Sequence, residues 1–354
     1  MLRTDVSAEP LAGYRQAAQS RRLADQAWPA DMLPVVSIVC LAYNHDRFIR
    51  ECLDGLLMQE TTFPVEILIH DDASTDRTAE VIHRYEVLYP QIIKPIYQTE
   101  NQYSKVKHPD VVFMFPRAKG KYIALCEGDD YWTASDKLQI QVEFMESHPE
   151  FSGCFHNVDV VYADGSKSPH PLHGELGKDT FTVEDLAVQN VIPTPSAFFR
   201  ARLFPEFPEW YARVPIGDWP LHVLNAQHGS MRYMDRRLAV YRVHSGGVWS
   251  ALGDSARARK SIEVAKAIDA HLDLKYTRAI RKSISRWRRN IALQASLAAA
   301  DKGFFGHLRW CVKICFSREQ ISKTATLAFF VKRWCPLLYS RLKQVRRAVS
   351  CLRN

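Results

Sequence analysis

The feature that most constrains this chain is a regular alternation of strand-like and helix-like segments in its first third. Residues 35–41 are β-branched and almost wholly apolar, as in a strand that is covered on both faces. Apolar residues at helical spacing follow between Phe48 and Leu57. Further strand-like runs, with helical or loop segments between them, occupy residues 65–70, 92–98 and 121–126. This spacing predicts βαβ units, and therefore an α/β fold whose mostly parallel sheet is flanked by helices.

Acidic and amide side chains follow directly after three of these strands. Asn44 comes after the first strand, Asp71 and Asp72 end the second, and three acids follow the fourth, namely Glu127, Asp129 and Asp130. The carboxyl ends of parallel strands meet at one edge of a sheet, where such folds bind their ligands. We therefore expect these side chains to line a common crevice.

The three acids after the fourth strand indicate a metal site. Two carboxylates about 4 Å apart repel by about 4 kcal/mol at an effective dielectric of 20, and a divalent cation removes that cost. Oxygen ligands favour Mg²⁺ or Mn²⁺, which also bind substrate phosphates, and Gly128 allows a tight turn between the acids. The alternative is a solvated turn at a strand end. Asp71 and Asp72 also have two interpretations, since they either cap the next helix or bind a nucleobase or ribose.

The net charge of +8 conceals a strong asymmetry along the chain. Residues 275–354 hold 19 Lys and Arg against two acids, whereas residues 1–274 hold 28 against 37. A basic, helix-compatible segment with interspersed aromatic residues predicts association with an anionic membrane surface. The alternative is a solvated appendage or a surface that binds a protein partner. No recognised motif supports nucleic-acid binding, so none is expected.

Several classes of protein are not expected from this sequence. It shows no signal peptide and no apolar run long enough to span a membrane, and its eight cysteines lie mostly inside apolar segments. We therefore expect a cytoplasmic protein with free thiols, peripheral at the inner face of the plasma membrane. After the first strand the sequence reads LAYNHDRF, without the glycine pattern of a dinucleotide-dependent dehydrogenase or a P-loop ATPase.

Four segments of the chain resemble the family 2 inverting glycosyltransferases, which have a GT-A-type nucleotide-sugar-binding fold. The segments are VSIVCLAYNHDRFIRECLDGLLMQ, VEILIHDDASTDRTAEVI, KGKYIALCEGDDYW and KLQIQVEFM. Together they lie within a region of similarity that covers roughly residues 34–250. The resemblance implies that one group of residues borders the nucleotide and contacts its base and ribose: Ala42, Tyr43, Asn44, Asp71 and Asp72.

The resemblance also implies the identity of the metal ligands and of the catalytic base. Glu127 and Asp129 occupy the family's D-x-D position, which also makes them nucleotide-binding residues. Asp129 and Asp130 are the implied metal ligands, and Glu127 stands in place of the usual first Asp. The segment IGDWPLHVLNA resembles the one that supplies the base, which makes Asp218 the acceptor of the proton from the acceptor hydroxyl. A helix N-cap is the structural alternative for Asp218, and the two roles can coexist.

A further segment, YRVHSGGVWS, resembles the family's loop over the active site. This similarity implies that His244 approaches the diphosphate or the metal, where it would be a further metal ligand, with a purely structural histidine as the alternative. Trp132 and Trp249 are candidates for a sugar platform, because aromatic faces suit the apolar faces of pyranose rings. Packing in the core is the alternative for both tryptophans.

The sequence therefore predicts an inverting, hexosyltransferase-type enzyme that moves a sugar from a nucleotide-sugar, a UDP-sugar, to the hydroxyl of a glycan or lipid-linked acceptor. We expect it to act in polysaccharide, lipopolysaccharide or glycolipid biosynthesis. The predicted catalytic domain, 34–253, has a nucleotide-sugar half (34–135) and an acceptor half (136–253). It lies between an N-terminal extension (1–33) and a helical basic region (254–354). The alternatives are a sugar-phosphate nucleotidyltransferase and a non-catalytic nucleotide-sugar-binding protein.

Overall fold

A computed structural model describes residues 20–29, 31–170, 177–316, 322–336 and 339. The chain divides into two compact units after Gly247, here named the first unit and the second unit. In chain order the strands are β1 (Arg21–Arg22), β2 (Val36–Ala42), β3 (Glu60–Thr61), β4 (Val65–Asp71), β5 (Ile93–Tyr97), β6 (Tyr122–Leu125), β7 (Tyr131–Trp132), β8 (Phe151–Tyr162), β9 (Lys167–Pro169), β10 (Thr180–Phe181), β11 (Phe198–Arg200) and β12 (Ser230–Val243).

Helices cover the sheet of the first unit and form most of the described part of the second. In chain order they are α1 (Ile49–Leu57), α2 (Thr78–Leu88), α3 (Tyr103–Val106), α4 (Lys137–Ser147), α5 (Val183–Val188), α6 (Asp218–Ala226), α7 (Asp254–His271), α8 (Thr277–Ala300), α9 (Gly303–Phe316) and α10 (Lys323–Trp334).

The main sheet of the first unit has the strand order β10-β12-β8-β11-β6-β2-β4-β5. β2 is parallel to β4 and β6, β4 is parallel to β5, and β8 is parallel to β12. β11 is antiparallel to both of its neighbours, β6 and β8. The sheet is therefore mixed, with parallel pairing throughout its β6-β2-β4-β5 part, and with its flanking helices it confirms the predicted α/β class. All seven residues of β4 are buried, as expected for a central strand whose sequence does not alternate.

The register of the central strands brings their carboxyl ends to one edge. Ala42 at the end of β2 is paired with Asp71 at the end of β4, and Asp71 is paired with Tyr97 on β5. The turns after β4 and β6 are both hydrogen-bonded to the carboxyl end of β2, because Asp72 N donates to Ala42 O (2.9 Å) and Gly128 N donates to Leu41 O (2.8 Å). The loops that carry the predicted site residues thus begin next to one another.

Two details differ from the sequence-based expectation. The segment MRYMDRRLAVYRVHSGG, residues 231–247, was expected to form paired strands that run into a Gly-rich loop. Residues 231–243 instead belong to one long strand, β12, whose pairing with β8 is interrupted by register shifts between Met234 and Ala239. The end of the predicted N-terminal extension also packs on the first unit, since β1 pairs with β3 and Leu23 is fully buried in its core. Residues 1–19 lie outside the described part.

The second unit is helical over its described residues. α7 packs on α8, and α8, α9 and α10 pack on one another. Its buried side chains include Ile262, Ile268, Ile280 and Ile291. Among the described residues, no helix combines the length and the apolar character that a membrane span needs.

Candidate functional site

The acidic turn, residues 127–130, lies at the carboxyl end of β6. Asp130 N donates to Glu127 O (3.0 Å), which closes the turn. A Cβ at Gly128 would lie 2.9 Å from Nδ1 of His45 and 3.0 Å from Cδ1 of Ile49. Glycine is therefore needed here for lack of space, because any side chain would push apart the residues that surround the turn.

The three acids of this turn can offer one ligand atom each to a common ion, since these atoms lie within 4.8 Å of one another. Asp129 and Asp130 are buried, and Oδ1 of Asp129 and Oδ2 of Asp130 have no hydrogen-bond partner. Buried polar atoms are normally satisfied, so two orphaned carboxylate oxygens in one turn need a partner. A divalent cation with a preference for oxygen ligands fits this donor set.

The three acids of the acidic turn differ in the direction of their pKa shifts. Burial raises the pKa of Glu127 to about 8, and the charges of Asp129, Asp218 and Asp110 add to that effect. Burial and the neighbouring acids raise the pKa of Asp130 well above its usual value. Burial acts in the same direction on Asp129, but the hydrogen bond with His244 and the charges of two histidines outweigh it and lower its pKa. Asp129 is therefore the ionised member of the cluster.

Two histidines contact the carboxylate of Asp129. Nε2 of His244 lies 2.9 Å and Nε2 of His45 lies 3.7 Å from Oδ2 of Asp129. The ring of His244 also packs against Phe48, with centroids 4.7 Å apart. His244 thus reaches the acidic turn through Asp129, and it is not among the residues whose ligand atoms cluster there. The sequence analysis missed His45, although it directly follows Asn44 in the loop after β2.

Arg242 on β12 binds the acidic turn from the other side. Its Nη1 donates to Asp129 O (2.6 Å), and its backbone N donates to Oδ1 of Asp130 (2.8 Å). Its guanidinium also forms an ion pair with Glu51 of α1 and lies 4.3 Å from the ring centroid of Tyr131. Arg242 therefore connects α1, the acidic turn and β12. Arg242 was not predicted as a site residue from the sequence. The only feature that could have indicated it is its position near the end of a strand-like run.

The loops after β2 and β4 are joined by hydrogen bonds. Asn44 adopts a positive φ of 56°. Its Oδ1 accepts from Thr75 N (2.8 Å), and its own N donates to Oγ of Ser74 (2.9 Å). Asn44 and Tyr43 are exposed and Ala42 is buried, so the first two of these predicted nucleotide neighbours are open to a ligand.

The two acids at the end of β4 have different surroundings. Both carboxylate oxygens of Asp72 accept backbone N–H groups at the start of α3, from Gln102 (2.6 Å) and Tyr103 (3.0 Å). Asp71 accepts only a 3.3 Å bond from Ser74 N through Oδ2, and its Oδ1 is buried without a partner. Asp72 therefore binds the start of α3 rather than capping the helix that follows it in sequence. Asp71 keeps an oxygen for a ligand.

Asp218 begins helix α6. Oδ1 accepts from Trp219 N (2.7 Å) and Oδ2 accepts from Nδ2 of Asn190 (2.9 Å), so it has both a helix-start contact and a side-chain partner. Burial raises its pKa. Its charge also contributes to the raised pKa of Glu127, after burial and Asp129. The sequence analysis missed Asp110, a partly buried acid whose pKa burial raises to about 6 and whose charge also acts on Glu127.

The two tryptophans of the predicted sugar platform have different surroundings. Trp132 is 1% exposed, its Nε1 donates to Pro195 O (2.9 Å), and Nζ of Lys137 lies 3.9 Å from its ring centroid. The alternative of core packing therefore holds for Trp132. Trp249 is half-buried and belongs to the second unit.

Comparison with known proteins gives the family. Residues 37–206 match the sequence profile of Glycosyl transferase family 2. The chain is also 39% identical to the uncharacterized protein Rv1520 of Mycobacterium tuberculosis over 252 residues, which is 70% of this chain and 71% of that protein. The chain belongs to glycosyl transferase family 2.

This family 2 glycosyltransferase has further relatives whose names carry an activity. It is 34% identical over 144 residues to the UDP-Glc:alpha-D-GlcNAc-diphosphoundecaprenol beta-1,3-glucosyltransferase WfaP of Escherichia coli, covering 40% of this chain and 54% of WfaP. Its fold is similar to that of the mannosyltransferase PcManGT of Pyrobaculum calidifontis, solved with GDP-Man and Mn²⁺, with a TM-score of 0.52, 18% identity and 90% coverage of both chains. The predicted GT-A-type fold is thereby confirmed.

The profile match covers only part of the site of this glycosyltransferase. Asp71 and the acidic turn lie inside residues 37–206, whereas Asp218, Arg242 and His244 lie beyond them. The roles of these last three residues therefore depend on the geometry of this chain.

Proposed function

We propose that this glycosyltransferase moves a sugar from a UDP-sugar to the hydroxyl of a glycan or lipid-linked acceptor, with inversion at the anomeric carbon. The proposed pathway is the synthesis of a polysaccharide, lipopolysaccharide or glycolipid. The relative WfaP carries UDP-Glc and a diphosphoundecaprenol-linked sugar in its name, which supports both the donor class and the acceptor class. The observation that carries the proposal is the acidic turn, where buried Oδ1 of Asp129 and Oδ2 of Asp130 have no hydrogen-bond partner and could bind the cation that accompanies a nucleoside diphosphate.

The nucleotide would bind along the loops after β2 and β4. Ala42, Tyr43 and Asn44 would border it, and Asp71 and Asp72 would lie at its base and ribose. Of these two acids, Asp71 has the free oxygen, Oδ1, that can accept a hydrogen bond from the nucleotide. Asp72 would act indirectly, because its carboxylate holds the amides at the start of α3.

The acidic turn would hold Mg²⁺ or Mn²⁺ through Asp129 and Asp130, with Glu127 beside them. When bound, such a cation stabilises the negative charge of a departing nucleoside diphosphate as a Lewis acid. We revise the role of His244 from metal ligand to positioning residue, because its Nε2 already contacts Oδ2 of Asp129. His45 and Arg242 would hold the same residue from other sides.

Asp218 would accept the proton of the attacking hydroxyl. The ideal pKa of a general base lies near the working pH, and burial moves the pKa of Asp218 in that direction. Asn190 and the amide of Trp219 hold its carboxylate in place. The proton ends on a carboxylate oxygen of Asp218 as the new glycosidic bond forms and the bond to the diphosphate breaks.

The test of this mechanism is Asp218→Asn, which keeps the shape and removes the base. We expect donor binding, measured by calorimetry, to stay unchanged while the rate of transfer falls by about 10²–10⁴-fold, the usual contribution of a positioned base. Asp235→Asn, at an exposed position of β12, is the matched control. NMR of the product reports the anomeric configuration. Retained transfer in Asp218→Asn, or a retained configuration, would contradict the proposal.

We also propose that residues 275–354 associate with an anionic membrane at the inner face of the plasma membrane. Their 19 basic residues against two acids support this location. Flotation with phosphatidylglycerol vesicles tests it. Binding by the full chain should weaken as salt rises, because exposed charges are screened beyond about 8–10 Å at physiological ionic strength.

A further inference from the structure

A buried histidine fixes the rotation of helix α9 in the second unit. His307 is 1% exposed. Its Nε2 lies 2.7 Å from Oγ of Ser296 on α8, and its Nδ1 accepts from Nε1 of Trp334 on α10 (2.9 Å). Cys311 and Ile314, at positions +4 and +7 from His307, are buried as well. This side of α9 therefore faces α8 and α10, and the opposite side is turned away from them.

The outward side of α9 is apolar. Leu308 and Val312 are four residues apart and Phe305 lies beside them, whereas Phe304 packs on Phe330 and Trp334 of α10. The exposed fractions of Leu308, Val312 and Phe305 are 38%, 52% and 78%. We name these three residues the α9 stripe. Single exposed apolar residues are normal on protein surfaces, but a contiguous stripe that includes an exposed phenylalanine marks a site of interaction.

Basic side chains flank the α9 stripe on its own helix and are also exposed on α8. Arg309 and Lys313 are exposed on the same helix, next to Leu308 and Val312. On α8, an open depression is lined by four basic residues, namely Arg278, Arg281, Lys282 and Arg289. Between Lys275 and Lys313 the chain has ten basic residues and one acid. The partner must therefore combine negative charge with an apolar interior.

An anionic lipid surface meets both requirements, and a second copy of this chain does not. Two copies that joined through the α9 stripe would bring two strongly basic segments together, and like charges repel. A helix with an apolar side and flanking Lys and Arg lies in the plane of the membrane interface with its apolar side among the acyl chains. Its cations then lie at the level of the lipid phosphates.

We propose that α9 is the membrane-inserting element of this chain, with the α9 stripe entering the acyl region of an anionic leaflet. The proposal rests on the membrane association proposed above and names the segment that performs it. The basic residues of α8 and α9 attract the surface, and the stripe holds the chain there. Binding should therefore have a component that salt screens and a component that it does not.

The experiment uses the full chain and sedimentation with vesicles of phosphatidylcholine alone or mixed with phosphatidylglycerol. The test variant is Phe305→Ser/Leu308→Ser/Val312→Ser. Its matched control is Val87→Ser/Leu88→Ser on α2, where two apolar residues are equally exposed, at 65% and 67%. We expect the partition coefficient of the test variant on mixed vesicles to be lower than that of the original chain by about tenfold or more. The loss should fall chiefly on the binding that remains at high salt, because salt screens only the electrostatic part. The control variant should bind like the original chain.

Three results would overturn the proposal. The first is equal binding of the test variant and the original chain to mixed vesicles, with circular dichroism showing both folded. The second is equal binding of the original chain to both kinds of vesicle. The third is a dimer of the original chain in size-exclusion chromatography that the test variant does not form, which would make a second copy the occupant. Donor binding by calorimetry on the same preparations tests the glycosyltransferase function separately.

Discussion

Binding of a divalent cation to the acidic turn should release protons from the protein near pH 7. Glu127 has a pKa of about 8 and Asp130 has one well above its usual value, while that of Asp129 is lowered. At pH 7 a group with a pKa of about 8 is protonated in about nine molecules of ten. A cation binds carboxylates in their ionised form, so it must displace these protons.

The size of the pH dependence of cation affinity follows from the number of protons displaced. If only Glu127 loses its proton, the affinity for Mn²⁺ should rise about tenfold per pH unit below pH 8, or about 1.4 kcal/mol per unit. If Asp130 loses one as well, the slope should approach two in log units. Acid favours the protonated carboxyls, so affinity falls towards low pH. The part due to Glu127 levels off above pH 8, where that carboxyl is already ionised.

Calorimetry with Mn²⁺ in two buffers of different protonation enthalpy counts the protons directly. We expect between one and two protons released at pH 7, and about one fewer in Glu127→Gln. Asp235→Asn, which changes a carboxylate outside the acidic turn, should release as many as the original chain. Because the acids titrate together, the measured steps belong to the cluster.

Two outcomes would refute this reasoning. Mn²⁺ affinity that does not change between pH 6 and pH 8, with no proton released, would mean that the acids are already ionised in the free protein. Equal proton release from Glu127→Gln and the original chain would mean that Glu127 does not carry the proton.

Three further predictions concern residues around the turn. Gly128→Ala should destabilise the fold by about 1–3 kcal/mol in chemical denaturation, because the new Cβ would lie 2.9 Å from Nδ1 of His45. Arg242→Met should weaken Mn²⁺ binding in calorimetry by about 10–100-fold, because the main-chain oxygen of Asp129 loses its donor. Lys137→Met should stabilise the fold at pH 7 by about 2 kcal/mol. Burial lowers the Lys137 pKa to about 7 and an unfolded lysine titrates near 10.4, which costs the native fold about 4 kcal/mol at pH 7, and loss of the contacts with Gln141 and Trp132 offsets part of the gain. This gain should shrink as the pH of the denaturation experiment rises towards 10, where the unfolded lysine also becomes neutral.

The central part of the fold could be predicted from local patterns. Unbroken apolar runs gave β2, β4 and β6, and the rule that parallel strands end at one edge placed Ala42 beside Asp71. Both inferences need only the period of the sequence and the handedness of βαβ units. The acidic turn could be anticipated for the same reason, because it directly follows a strand.

The remaining parts of the site depend on contacts that no local pattern encodes. Arg242 donates to the carboxylate of Asp130, 112 residues earlier in the chain. β12 reaches that position only after register shifts against β8, between Met234 and Ala239. Each bulge changes which side chains face the core. The alternation of apolar and polar residues that identifies a strand is therefore interrupted within β12, and this one strand was predicted as two.

Asp130 illustrates how these distant contacts shape the chemistry. Its Oδ1 is held by the backbone N–H of Arg242, and its Oδ2 is buried and unpaired. One oxygen therefore fixes the carboxylate to β12 while the other stays open to a cation. A turn with three acids is unfavourable in isolation. β12 offsets part of that energy through the amide and guanidinium of Arg242, and His244, the residue after β12, adds a hydrogen bond to Asp129. The acids can thus be found in the sequence, but the arrangement that makes them a preorganised site exists only once β12 has paired with β8.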